Sequence, residues 1–287
     1  LPLDNVRVSI TRTVPIGEFY DPETATVRDA TGEVQLLAAD GSVEESYRLV
    51  ASEDGSYSVL TPLVNAPTLP GRTYRIVAEA LGRTLTAETT VPATFEVVEA
   101  PPDEVLYQSI PNGPPLRITT SSVAGRQSVY IVSSQALAAD RFDPFERDGD
   151  TFYRSRNEPD TFRPVPFVQL FLDCEDEEGF LVCENDPTDA ASGSSPIINE
   201  ASYRLQGDGT AIVDLPWIAF GFYGPAQVAL VALDDAFQDF VETQAVQGGG
   251  TTLSPGEIPN VTSNVTGGLG VFGSFAQRNV RITVLER

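Results

Sequence analysis

Apolar and polar positions alternate through the first hundred residues. In residues 5–14, Val6, Val8 and Ile10 fall on one side and Arg7, Ser9 and Thr11 on the other. That is the period of two expected where successive side chains leave opposite faces of a strand. Residues 32–42, 55–63, 72–80 and 83–91 repeat the pattern, with Gly- or Asp-containing turns between them. Residues 80–83 read as a tight hairpin connection. No window here carries a helical period, and short strands at this spacing predict a small β-sandwich.

Residues 89–105 pass from a strand into the Pro-rich, acidic residues 100–104, which are expected to form a linker. A first domain is therefore expected at 1–99 and a larger β-rich domain at 105–287. In the larger part, residues 115–122, 127–137, 166–174, 179–185, 201–207, 211–220, 226–233 and 278–287 read as strands. One segment changes period. Phe237, Phe240 and Val241 fall at i, i+3 and i+4 behind Asp234 and Asp235, either of which is placed to cap, so one short helix is expected within 233–244. The expected fold class is all-β. A transmembrane barrel is rejected because the strands are too few, too acidic and too unevenly spaced, without aromatic girdles. No apolar run approaches the ~18–20 residues of a spanning helix.

Composition narrows the chemistry. The 287 residues include no His, no Met and no Lys; the 18 basic residues are all Arg, against 41 Asp and Glu, for a formal charge of −23. Without His or Lys there is no imidazole base, no Ser–His–Asp or Cys–His pair, and no Schiff-base or P-loop lysine. Zinc and copper lose their commonest ligand. A carboxylate pair for glycoside hydrolysis and calcium- or magnesium-dependent chemistry survive this cut, but a binding or assembly component is the expectation, not an enzyme. The acidic surface repels nucleic acid and anionic membrane, so neither is expected as a partner. The chain begins at Leu1 without an initiator Met or an apolar leader, and a targeting segment is expected to have preceded it.

Cys174 and Cys183 flank an acidic stretch that turns at Gly179. A disulfide closing a hairpin or loop is expected there, as in exported proteins; a metal pair is the rival, with no further Cys or His to complete it. Carboxylates cluster at Asp140, Asp143, Glu146, Asp148 and Asp150, and again at Asp173, Glu175, Asp176, Glu177, Glu178, Glu184, Asp186 and Asp189. Solvated acidic loops are the default reading, since neither cluster has EF-hand spacing. Calcium takes ~6–8 oxygen ligands, and Asp140, Asp143, Asp148 and Asp150 are its candidate ligands here. Residues 268–273 satisfy G-x-G-x-x-G, but the residues after Gly273 read as a strand and the chain ends too soon for a dinucleotide unit, so these glycines are expected to serve turns or close packing. Phe220 and Phe222 suit a core strand, while Trp217 and Tyr223 are the candidate partner or ligand surface. Asn260 and Asn264 fit N-x-[ST], a three-residue pattern expected to match here by accident.

Three segments carry a resemblance: Pro-Gly-Arg-Thr-Tyr at 70–74, Thr-Thr-Val-Pro at 89–92, and Ser-Asn-Val-Thr-Gly-Gly-Leu-Gly-Val-Phe-Gly at 263–273. Their order and spacing resemble the Bacteroidetes-type outer-membrane lipoproteins of the domain-of-unknown-function family numbered four-two-four-nine, which are commonly encoded beside TonB-dependent receptors. The resemblance implies an immunoglobulin- or transthyretin-like sandwich followed by a second β-rich domain. It implies a place on the cell surface at the outer membrane, and a TonB-dependent β-barrel transporter as partner, with the chain capturing or gating its ligand. Contact with the membrane would come only through a lipid anchor upstream of Leu1. The alternative is a self-associating subunit of a surface layer, filament or adhesin. Two features depart from the family: the lipid-bearing N-terminal Cys is absent, and the acidic Cys174–Cys183 insertion is not among its features.

Overall fold

Alternation becomes pleat directly. In the computed structural model, which describes residues 6–14, 17, 19, 21–59, 68–120, 128–138, 141–156, 163–199, 201–249 and 261–287, strand after strand buries every second side chain. The chain divides into two compact units, one of Leu1–Ala93 with Leu233–Ala276 and one of Thr94–Ala232 with Gln277–Arg287.

The first unit begins with β1 (Arg7–Val8), the single-turn α1 (Pro22–Ala25), β2 (Thr31–Leu37), β3 (Val43–Ala51), β4 (Tyr57–Val59), β5 (Thr73–Ala80) and β6 (Arg83–Thr90). They form a six-stranded sheet in the order β1-β4-β3-β2-β5-β6. Its core draws Val34 and Leu36 from β2, Tyr47 and Leu49 from β3, Tyr57 and Val59 from β4, and Tyr74 and Ile76 from β5, with Val265 and Phe272 of the returning segment packed against them. Tyr57 is fully buried, and its hydroxyl donates to the Val27 carbonyl while accepting from the Ala30 amide.

The second unit holds β7 (Val97–Glu99), β8 (Glu104–Leu106), β9 (Pro115–Thr119), β10 (Val129–Ala136), β11 (Asp143–Arg147), β12 (Asp150–Arg156), α2 (Pro166–Leu172), β13 (Cys174–Glu177), β14 (Phe180–Cys183), β15 (Ser192–Ser194), β16 (Arg204–Leu205), β17 (Thr210–Asp214) and β18 (Gly224–Leu233). After α3 (Asp235–Gly249), which belongs to the first unit, β19 (Phe275–Leu285) carries the chain back. Three sheets result, in the orders β15-β10-β18-β19-β8, β11-β12-β14-β13 and β16-β17-β9-β7. Phe95, just before β7, meets Tyr130 of β10 edge-on at 5.5 Å, and both rings are buried. The five-stranded sheet and the sheet containing β7 therefore share a core.

Several expectations need revision. Residues 100–104 are not a linker between domains: Pro101 is buried, Glu104 opens β8, and the Asp103 carbonyl accepts from the Thr283 amide within the second unit. Residues 166–172, read as a strand, form α2. Pro166 stands at its first position, where the preset φ suits a helix and the missing N–H costs nothing. Val168 and Leu172, four apart, supply the buried face. The strand read at 211–220 stops at Asp214, because Pro216 leads into a short 3-10 turn at Trp217–Ala219. The helix expected within 233–244 is α3, and Asp234 caps it by accepting from the Phe237 amide at 2.9 Å.

Candidate functional site

The first unit carries a groove of about 960 Å³. Its floor is the buried face of β5, where Ile76, Ala78 and Ala80 recur at every second residue. Two of the three are alanines, and their short side chains leave the space that larger residues would fill. One wall is the N-terminal segment with Val8 and Ile10; the other is the Gly-rich segment with Val265, Val271 and Phe272. Leu81 and Leu269 stand exposed on the rim.

The Gly-rich wall is held by backbone and short side chains. Thr266 and Thr86 exchange N–H···O bonds, so residue 266 pairs against β6. The Asn264 amide donates to the carbonyls of Glu88 and Phe272, and its oxygen accepts from the Phe272 amide, all at 2.9 Å. Ser263 Oγ accepts from the amides of Val265 and Gly270. Behind the wall, buried Asp234 accepts from the Thr89 hydroxyl, which also lies 2.6 Å from that of Ser274. Gly267 has φ +86°, and a Cβ there would lie 2.1 Å from the Thr84 carbonyl oxygen. Gly273 lies so close to α3 that a Cβ would come within 2.7 Å of Phe237 Cβ. The G-x-G-x-x-G run is thus a close-packed loop leading to β19, as its glycines suggested.

Arg12 and Arg83 stand on the groove's rim, both exposed and in no ion pair with the described residues. In a chain of net charge −23, two guanidiniums with no ion pair among the described residues, beside an apolar floor, favour a ligand with an apolar body and an anionic group. Sequence reasoning missed both, because nothing local separates them from the other arginines. Only pairing across β5 and β6, where Ala80 faces Arg83, and the return of residues 265–272 bring them to one place.

The other candidates fall elsewhere. Asp143 begins β11 and lies opposite Arg154, whereas Asp148 and Asp150 sit at the far, turn end of the same hairpin, with Asp150 opposite Arg147. The hairpin's length, at ~3.4 Å per residue, keeps Asp143 away from the other two. Asp140 lies outside the described residues, as does Asn260. Among the described residues no three carboxylates or cysteines converge as a metal site. Trp217 and Tyr223, expected as a partner surface, are both buried and pack edge-on to Tyr107 at 5.2 and 5.6 Å. The Trp217 indole N–H donates to the Ile110 carbonyl, and burial pushes the Tyr107 and Tyr223 phenols up from their ordinary pKa. They are core residues because the turn after Pro216 aims the indole inward. Cys174 and Cys183 form the expected disulfide, between facing residues of β13 and β14.

The sequence profile of one family, described as "Domain of unknown function (DUF4249)", matches residues 2–281. No curated protein matches the chain.

Proposed function

The chain belongs to the DUF4249 family, and on that premise we propose that it acts at the outer surface of a bacterial outer membrane as an accessory, ligand-capturing partner of a TonB-dependent transporter. The observation that carries this reading is the groove of about 960 Å³. It has an apolar floor and two rim arginines, and one wall is made by residues 263–273, a segment by which the sequence resembles the family. Such a groove suits retention of an amphiphilic anion before transfer. The lack of His and Lys supports binding in place of catalysis, because the usual bases and nucleophile activators are missing.

The test is purification of the native protein from outer membranes in mild detergent, with mass spectrometry of whatever accompanies it. A large TonB-dependent barrel at near-equal abundance is the expected result. Recovery of the chain alone, or as a ladder of its own multimers, would replace this reading with that of a surface-structure subunit.

A further inference from the structure

Helix α2 has two apolar faces, and only one is covered. Val168 and Leu172 point into the second unit and are buried, whereas Phe167, Leu170 and Phe171, at i, i+3 and i+4, point outward and are 46, 85 and 72% exposed. A surface helix ordinarily turns a polar side to water, and clustered large apolar side chains left in solvent mark an interaction surface. The helix is firmly mounted. The Val165 amide donates to the Gly221 carbonyl, Asp173 closes the C-terminus in the left-handed region at φ 53°, and the Asn185 amide donates to the Leu172 carbonyl. The outward face is therefore a fixed feature of the unit.

Charge around the helix identifies what covers it. Eight carboxylates lie between residues 173 and 189, and no basic residue occurs from 164 to 203. Glu177 pairs with Arg147 of the neighbouring hairpin, and although Arg154 and Arg156 of β12 lie across β14, carboxylates outnumber guanidiniums in this sheet. An anionic membrane surface would be repelled. A second copy docked through the same face would set two such acidic segments against each other, at a cost. We infer that α2 is a docking knob for a protein partner, inserted through Phe167, Leu170 and Phe171 into an apolar pocket rimmed by Lys and Arg. The knob supplies burial and the acidic hairpin supplies attraction and orientation.

The experiment uses the full-length protein in its native membrane, with a photo-crosslinking phenylalanine analogue in place of Leu170. The expected product is an adduct with one protein, mapped by mass spectrometry to an apolar site bordered by Lys or Arg. Its yield should fall by about 30-fold with Phe171→Asp, the scale of losing a central anchor. It should also fall several-fold when salt is raised or when Glu175→Gln and Glu178→Gln are combined. Unchanged melting temperature in the Phe171→Asp protein separates lost docking from lost folding. Adducts with lipid, adducts between copies, no adduct, or adducts indifferent to Phe171→Asp would each overturn the assignment. Adducts indifferent to Phe171→Asp, with the transporter still co-purifying, would remove the knob and leave the transporter reading intact. An adduct with a cation-rimmed pocket on a protein other than a transporter, with no transporter co-purifying, would keep the knob and remove the transporter reading.

Discussion

Gly267 holds φ +86° with its α-hydrogen against the Thr84 carbonyl, so Gly267→Ala meets both a disfavoured backbone region and a steric block. A loss of about 1–3 kcal/mol is expected, read as a lower melting temperature. Asp234 joins three groups, accepting from the Phe237 amide and the Thr89 hydroxyl while its own amide donates to the Ser274 carbonyl. Asp234→Ala removes the cap of α3 and leaves Thr89 short of an acceptor, for an expected loss of about 2 kcal/mol; Asp234→Asn should recover part of it. Tyr47 gives a pH signature. Burial first, and its hydrogen bond to the Glu45 carboxylate second, push its phenol up to about 12 from an ordinary 10.0. The folded state holds that proton more tightly than the unfolded chain, so the stability it contributes is whole below pH 10.0 and lost as pH rises toward about 12. Melting curves across that range should show Tyr47→Phe less sensitive to alkali than the parent. At the groove, reversing both rim charges with Arg12→Glu and Arg83→Glu should weaken binding of anilinonaphthalene sulfonate, an amphiphilic anion, by roughly 3- to 10-fold. Unchanged fluorescence titrations would show that the rim does not read charge.

Three hairpins of the fold are made by one turn. At residues 38–42, 52–56 and 206–210 the first residue's amide donates to the last residue's carbonyl and the Gly amide donates to the first residue's carbonyl, Gly41, Gly55 and Gly209 take φ near +81°, and the Asp before each Gly accepts from the amide and hydroxyl of the Ser or Thr after it. These are three-residue loops with a bulge at glycine, written in sequence as Asp-Gly-Ser or Asp-Gly-Thr. The hydrogen bonds from Ser42, Ser56 and Thr210 lower the carboxyls of Asp40, Asp54 and Asp208. Their contribution is therefore present above the ordinary Asp pKa and lost as pH falls through the lowered folded values. A second element depends on a covalent tie. Cys174 and Cys183 are nine residues apart, and opening that loop with Cys174→Ala and Cys183→Ala should cost about 2–3 kcal/mol, seen as earlier thermal unfolding than in the oxidised parent. The same hairpin lies beside α2, whose strand-like apolar sequence hid its conformation. Phe-Val-Gln-Leu-Phe-Leu fits either period over so short a span, and the burial of Val168 and Leu172 on one side selects the helix.

Across the whole chain the first unit is discontinuous. Val265 and Phe272 complete its core, Thr266 pairs with β6, and Ser274 and Asp234 bond within it. A fragment of residues 1–99, the domain suggested by local pattern, lacks all of these and should melt without a cooperative transition, whereas the full chain melts cooperatively; calorimetry distinguishes the two. Charge acts at the same scale. With −23 and no His, self-repulsion is nearly constant through neutral pH. Raising ionic strength from ~0.01 to ~0.1 M shortens the Debye length from ~30 to ~10 Å, and the melting temperature should rise with it.

Local sequence determined most of the strands, the turns between those of the first unit, the position of α3 with an Asp at its start, and the disulfide, because each rests on groups a few residues apart: a period of two, an Asp-Gly pair, a carboxylate at a helix start, two cysteines across a turn. It also excluded imidazole and lysine chemistry, since composition needs no folding to be read. Tertiary structure alone decided the rest. The return of residues 233–276 to the first unit is a contact across more than a hundred residues, so no local signal announced it, and the groove exists only through that return. The inward turn of Trp217 and the outward face of α2 come from which side of each element meets a packed neighbour. Arg12 and Arg83 became a pair for the same reason: the fold, not their spacing, put them on one rim.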